Sequence, residues 1–165
     1  RGAYQALFRE QRVHKTYQAI APYQPELGFP REHHSRMQES GHFIRMQEVA
    51  GPPNSHTRLT LLEHNTHWAR YQLEPISGKR HQLRVHMAAL GIGILGDGLY
   101  PEVNDAPEGD FSRPLRLLAQ AIAFTDPLTQ QQRHFHSQYT LGALPPGPAP
   151  APSGQQTWQG LPANA

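Results

Sequence analysis

The chain of 165 residues has no cysteine, which excludes a disulfide framework and any thiolate-bound metal. It also lacks an apolar run of the roughly 18 residues that a membrane-crossing helix needs. Its first stretch, RGAYQALFREQR, has none of the apolar centre of a secretory signal. No internal repeat is present. These absences point to a soluble, cytoplasmic protein, and the length suits one domain with a real core. The first residue is Arg1 rather than Met, so the expectation is a piece of a longer or processed chain.

The charge that is present is unevenly placed. Residues 1–100 hold 12 Lys+Arg against 8 Asp+Glu, a difference of +4, and residues 101–165 hold 3 against 5, a difference of −2. Eleven histidines add charge that titrates near neutral pH. A basic first part suits a polyanionic partner such as RNA.

Periodicity gives the elements. GAYQALFREQ (2–11) has Ala3, Ala6 and Leu7 at helical spacing, and RVHKTYQAIAP (12–22) alternates as a strand ended by Pro22. Residues 22–41 read as an irregular insertion. HFIRMQEV (42–49), HTRLTLLEH (56–64) and HWARYQLEPI (67–76) read as strands, with a hairpin at 64–67. RPLRLLAQAIAF (113–124) is apolar enough for a buried strand or short helix, and RHFHSQYTL (133–141) is a last strand. From Leu144 the chain turns proline-rich, which predicts a core region over 1–143 and a flexible tail over 144–165.

The densest stretch is SGKRHQLRVHMAALGIGILGDGLYP, residues 77–101. Ser77 is suited to cap a helix and Gly91 to end one in the left-handed region. Leu83, Met87 and Leu90 make a buried stripe between them, and Arg80 and Arg84, four apart, border it. A guanidinium beside a buried face pairs with a carboxylate or receives a phosphate. Asp97 opens a turn before Tyr100 and braces that loop. Among the histidines, His33-His34, His64/His67 and His134/His136 form pairs suited to Zn²⁺. No third or fourth ligand accompanies any pair, so no metal site is expected.

The segment from Gly78 to Tyr100, G-K-R-H-Q-L-R-V-H-M-A-A-L-G-I-G-I-L-G-D-G-L-Y, resembles a signature of the RluA-type pseudouridine synthases, which modify uridines in ribosomal and transfer RNA. F-R-E-Q-R-V-H-K-T-Y-Q-A (8–19) and R-P-L-R-L-L-A-Q-A-I-A-F-T-D-P (113–127) are similar to two further blocks of that family. Lys79, Gly93, Leu118 and Pro101 stand where Arg, Pro, His and Gly are commoner, and none of these changes removes a catalytic group. One block has no counterpart. The family's nucleophilic aspartate lies in H-R-L-D-x-x-T-S-G, upstream of the helix that GAYQALFREQ resembles, and the chain is read as starting just after it.

The resemblance implies an α+β fold: a mixed, mostly antiparallel sheet with a few flanking helices, part of a pseudouridine synthase catalytic domain. It implies conversion of uridine to pseudouridine without a cofactor or metal, structured rRNA or tRNA as partner, no membrane association and a monomer. Arg84 matches the arginine that pairs with the nucleophile, and Tyr17 matches the tyrosine whose ring lies against the base. Lys15, Lys79, Arg80, His81, Gln82 and Leu117 are the implied substrate contacts. Two other readings remain: an RNA-binding relict of the fold without chemistry, and a small metal-binding β protein.

Overall fold

In the computed structural model, which describes residues 2–41, 44–103 and 114–148, the strands form one antiparallel sheet. Helix α1 (Gly2–Arg9) leads into β1 (Val13–Pro22), and β2 (Arg31–Glu39), β3 (Met46–Val49), β4 (Ser55–His64) and β5 (Trp68–Pro75) follow. Helix α2 (Gln82–Ala89) precedes β6 (Leu117–Thr125) and β7 (Gln132–His136). The strands lie in the order β3-β2-β4-β5-β1-β6-β7, with β1 between β5 and β6.

Each strand places alternate residues on one face. Ala19 pairs with Tyr71, Ala21 with Ala69 and Leu59 with Leu73, so these side chains share the face that α2 covers. Leu83 and Met87 of the helix, with Ile92 and Ile94 beyond it, complete that core. Each large side chain so buried contributes about 1.5–3 kcal/mol over exposure. The far side of α2 presents Val85 and Ala88 to Met37, Met46 and Tyr100, which fixes the β2–β3 end of the sheet to the helix.

The predicted C-terminus of the helix is realised. Gly91 has φ +78°; its N–H reaches the Ala88 carbonyl at 3.0 Å, and the Ile92 N–H reaches the Met87 carbonyl, also at 3.0 Å. That pair of bonds is the Schellman closure, with Ile92 packed back on Met87. The predicted start is not realised. Ser77 does not cap a helix; its hydroxyl donates to Gln82 Oε1 at 2.6 Å and accepts from the His56 N–H at 3.0 Å. The helix begins only at Gln82, so Arg80 precedes it rather than sharing a helical side with Arg84.

Residues 22–41, read as irregular, contain strand β2. The strand expected over 42–49 begins at Met46, and His42 and Phe43 lie outside the described residues, as do 104–113 and 149–165. The 64–67 hairpin is present: Asn65 Oδ1 accepts from the N–H groups of His67 and Trp68 at 2.9 and 2.8 Å. Packing does not end at residue 143. Leu141 and Leu144 lie against Ile20 and Trp68, the Trp68 indole donates to the Gly147 carbonyl at 2.8 Å, and Asn65 donates to the Pro145 carbonyl at 2.9 Å. Arg70 also donates to the Gly142 carbonyl.

Candidate functional site

Arg84 sits in the first turn of α2, one residue past the core residue Leu83, and its side chain is 17% exposed. Its guanidinium grips Asp97: Nε donates to Oδ2 at 2.9 Å and Nη2 to Oδ1 at 2.6 Å. The same carboxylate, 1% exposed, accepts the N–H groups of Leu99 and Tyr100 at 2.9 and 3.2 Å. Asp97 therefore braces its own turn, as the G-D-x-x-Y spacing suggested, and also anchors the arginine, which the spacing did not show. The bonds it donates to Asp97 raise the Arg84 pKa despite burial, so the guanidinium is a permanent, oriented charge.

Tyr100 links three elements. Its hydroxyl accepts the Met46 N–H at 2.8 Å and lies 2.9 Å from His81 Nδ1. The guanidinium carbons of Arg45 and Arg84 lie 5.2 and 5.3 Å from its ring centre, within cation–π range. His81 occupies the left-handed region, φ 55°, just before α2. Burial, then the charges of Arg84 and Arg80, push its pKa below the ordinary imidazole value. It is neutral at pH 7, so it can accept the Tyr100 hydroxyl hydrogen and serves as a hydrogen-bonding group rather than a cation.

On the sheet, Tyr17 pairs with Ala119 and Ala19 with Leu117, which puts Tyr17 and Leu117 on one face as diagonal neighbours. Both pack against the cluster that holds Leu83 and Met87. Tyr17 is half-buried and Ala119 beside it is exposed, so this end of the covered face opens to solvent. The register shifts between Thr16 and Tyr17, the irregularity that commonly re-aims a side chain beside a site. Lys15 extends its ammonium over the Phe8 ring, 5.3 Å from the centroid.

Lys79 and Arg80 are exposed in the loop entering α2. Gln82 is 3% exposed and its amide faces inward. Its Oε1 accepts from Ser77 and from the Lys79 N–H, and its Nε2 donates to the His56 carbonyl and to Thr57 Oγ1, both at 2.9 Å. The implied substrate contact at Gln82 thus meets a side chain bonded within the protein, where it shapes the 77–81 loop.

Among the residues that spacing did not single out, His86 has the most altered environment. It is fully buried beneath α2, with Nδ1 2.7 Å from Thr57 Oγ1 and Nε2 3.0 Å from both Ser35 and Ser55 hydroxyls. Burial, aided by nearby His33, pushes its pKa down to about 4.

The model of the RNA pseudouridylate synthase family matches residues 2–89, a span that holds Lys15, Tyr17 and Arg84. The chain belongs to that family. Among curated members, it is 34% identical over 136 residues to the dual-specificity RNA pseudouridine synthase RluA of Pasteurella multocida, covering 78% of this chain and 58% of that one. The Escherichia coli K12 protein of the same description is 48% identical over 60 residues, 36% of this chain and 26% of the relative. The human RNA pseudouridylate synthase domain-containing protein 1 is 38% identical over 80 residues, 46% and 24% of the two chains. The chain thus spans at most about three-fifths of these relatives. The solved structure of human RNA pseudouridylate synthase domain containing 1 shares the fold, with a TM-score of 0.65 at 23% identity over 82% of this chain and 58% of that one.

Proposed function

We propose that the chain supplies the base-holding part of an RNA pseudouridine synthase acting on uridine in structured rRNA or tRNA. The observation that carries this reading is the convergence of Tyr17 and Leu117 on one solvent-opening sheet face beneath the helix that bears Arg84. The base leaves its stack at a cost of a few kcal/mol and lies against Tyr17 and Leu117. The bond between N1 of uracil and the ribose breaks, the base turns, and C5 bonds to the same ribose carbon. The proton lost at C5 is balanced by one gained at N1, so no cofactor or metal is required.

In this reading Arg84 keeps the attacking carboxylate ionised and aimed. Asp97 holds the guanidinium by two bonds, and a guanidinium has five N–H donors, which leaves its other edge for a second carboxylate. Lys79, Arg80 and Lys15 meet phosphates, neutral His81 offers a hydrogen bond, and Gln82 shapes the loop that presents them. A cytoplasmic, monomeric protein goes with this reading; among the described residues no helix is long and apolar enough to cross a membrane.

No H-R-L-D motif occurs in the 165 residues, so the chain alone is expected to form no pseudouridine. The test is chromatographic separation of pseudouridine from uridine, with mass-spectrometric detection, in nucleoside digests of previously unmodified rRNA and tRNA, with the chain alone and with an H-R-L-D-x-x-T-S-G segment fused before Arg1. Product from the fusion only supports the reading; product from the chain alone would place the nucleophile elsewhere. A second reading, RNA binding without chemistry, is favoured by the occupation of Arg84 by Asp97. It predicts RNA binding by the fusion with no product.

A further inference from the structure

The dipeptide His33-His34 sends one imidazole to each face of the sheet, and each meets a second histidine and a glutamate. On the face beneath α2, His33, Glu48 and His86 come together from β2, β3 and the helix. On the opposite face stand Glu32, His34 and His56.

We propose that His33, Glu48 and His86 form a divalent-cation site of the zinc class, separate from the uridine chemistry, with His33 Nε2, Glu48 Oε1 and His86 Nε2 as ligands. One ligand atom from each of the three residues lies within 4.8 Å of the others. His33 Nε2 is 2.6 Å from Glu48 Oε1, and His86 Nε2 is 3.9 Å from that oxygen. Tetrahedral Zn²⁺ with bonds near 2.0–2.1 Å separates its ligand atoms by about 3.4 Å, a spacing these side chains bracket. Two imidazoles and a carboxylate are a standard zinc set that leaves a fourth position for water.

The surroundings are those of a metal histidine. The far nitrogen of His86 lies 2.7 Å from Thr57 Oγ1, which is itself held by Gln82, the kind of outer contact that fixes ring orientation and the ligating nitrogen. Ser35 and Ser55, each 3.0 Å from the ligating nitrogen, offer hydrogen bonds to a fourth, water ligand. His33 and Glu48 are 19% and 25% exposed, which gives a cation a path in, while His86 is fully buried at the base. Loading replaces the hydrogen bond between His33 and Glu48 and the serine hydroxyl bond to His86 Nε2, since a metal needs the bare imidazole nitrogen. The opposite cluster is less suited. Its Glu32 already holds Arg58 at 3.4 Å, and the His34 and His56 rings are stacked at 3.9 Å. A bound ion would tie β2 and β3 to the helix carrying Arg84, which is a structural role.

The test is calorimetric titration of EDTA-stripped protein with Zn²⁺, checked by competition against a chromophoric chelator. Wild type is expected to take up one tight equivalent and to melt at higher temperature when loaded. His33→Ala and Glu48→Gln are expected to weaken that equivalent by about tenfold or more and to lose the melting shift, while His34→Ala with His56→Ala leaves both unchanged. Both probes of the site alter partly exposed residues, and circular dichroism verifies that the variants fold. No tight equivalent in wild type would overturn the proposal. So would tight binding that survives His33→Ala and Glu48→Gln, or that disappears in the His34/His56 variant.

Discussion

Arg84 and Asp97 form a two-bond ion pair, at 2.9 and 2.6 Å, in which the carboxylate is 1% exposed and the guanidinium 17%. Thirteen residues apart in sequence, they join the helix to the loop that carries Tyr100. Removing one partner of such a pair strands the other in a poor solvent, a loss of about 3–5 kcal/mol for a fully buried pair. Arg84→Ala is therefore expected to destabilise by about 3 kcal/mol, the low end, because the guanidinium is partly wet. Asp97→Ala also removes the acceptor for Leu99 and Tyr100 and should cost at least as much. Urea unfolding checks both, and the double variant should lose less than the sum, since each single change already breaks the same contact.

Gly91 ends α2 with φ +78°, and a Cβ built there meets no atom within 4 Å. The penalty for a side chain is then one of backbone conformation alone. Gly91→Ala is expected to destabilise by about 1–2 kcal/mol, read as a lower midpoint in urea. A neutral result would mean that the Schellman closure is not kept in solution.

How far the fold could be read from the sequence depended on where each strand's partners lie. β1 was legible to its last residue because its inward side carries alanines and Tyr17, and Pro22 ends it. β2 was not, because two of its inward positions, His33 and Ser35, are polar and only Met37 beyond them is apolar and buried. Those polar groups are acceptable beneath a helix only through Glu48, Ser55 and His86, at least 15 residues away in sequence. Ser77 failed as a helix cap for a similar reason: the Gln82 side chain folds back on it and delays the helix. Within the candidate site, the motif residues Tyr17, Arg84 and Leu117 were named from sequence. The carboxylate that holds Arg84 was visible only as a loop brace, and Tyr100 as a pattern letter.

Lys79 and Arg80 stand exposed where the loop enters α2. If RNA phosphates bind there, binding of unmodified tRNA should weaken linearly in log affinity against log salt. Lys79→Ala and Arg80→Ala should each reduce the slope by about 0.7–1. Filter binding from about 50 to 200 mM salt spans the useful range. Slopes equal to wild type would make this loop a solvated face with no part in RNA contact.

His86 gives the fold a defined pH dependence in the metal-free protein. Burial pushes its pKa down to about 4 from 6.5, so between those values the unfolded chain binds a proton that the folded chain refuses. Stability from this source is fully present above pH 6.5 and falls as the pH drops towards 4. The shift, 6.5 − 4 = 2.5, corresponds to about 3 kcal/mol at about 1.36 kcal/mol per pH unit. The charges around the ring act in both directions: His33, His56 and His34 disfavour its protonation and Glu48 favours it. Glu48 adds a loss of the same sign at lower pH. Burial pushes its carboxyl up, but hydrogen bonds from His33 and Ser35 outweigh that and leave its pKa below the ordinary value. Urea unfolding in EDTA from pH 7.5 to 4.5 should therefore show stability falling with a limiting slope of about 1.4 kcal/mol per pH unit from His86. His86→Gln removes the titrating group, so its curve should be flatter by that amount whatever its absolute stability. Parallel curves for the two proteins would mean that His86 takes up its proton in the folded state at the same pH as in the unfolded chain, and that water reaches the polar cluster beneath the helix.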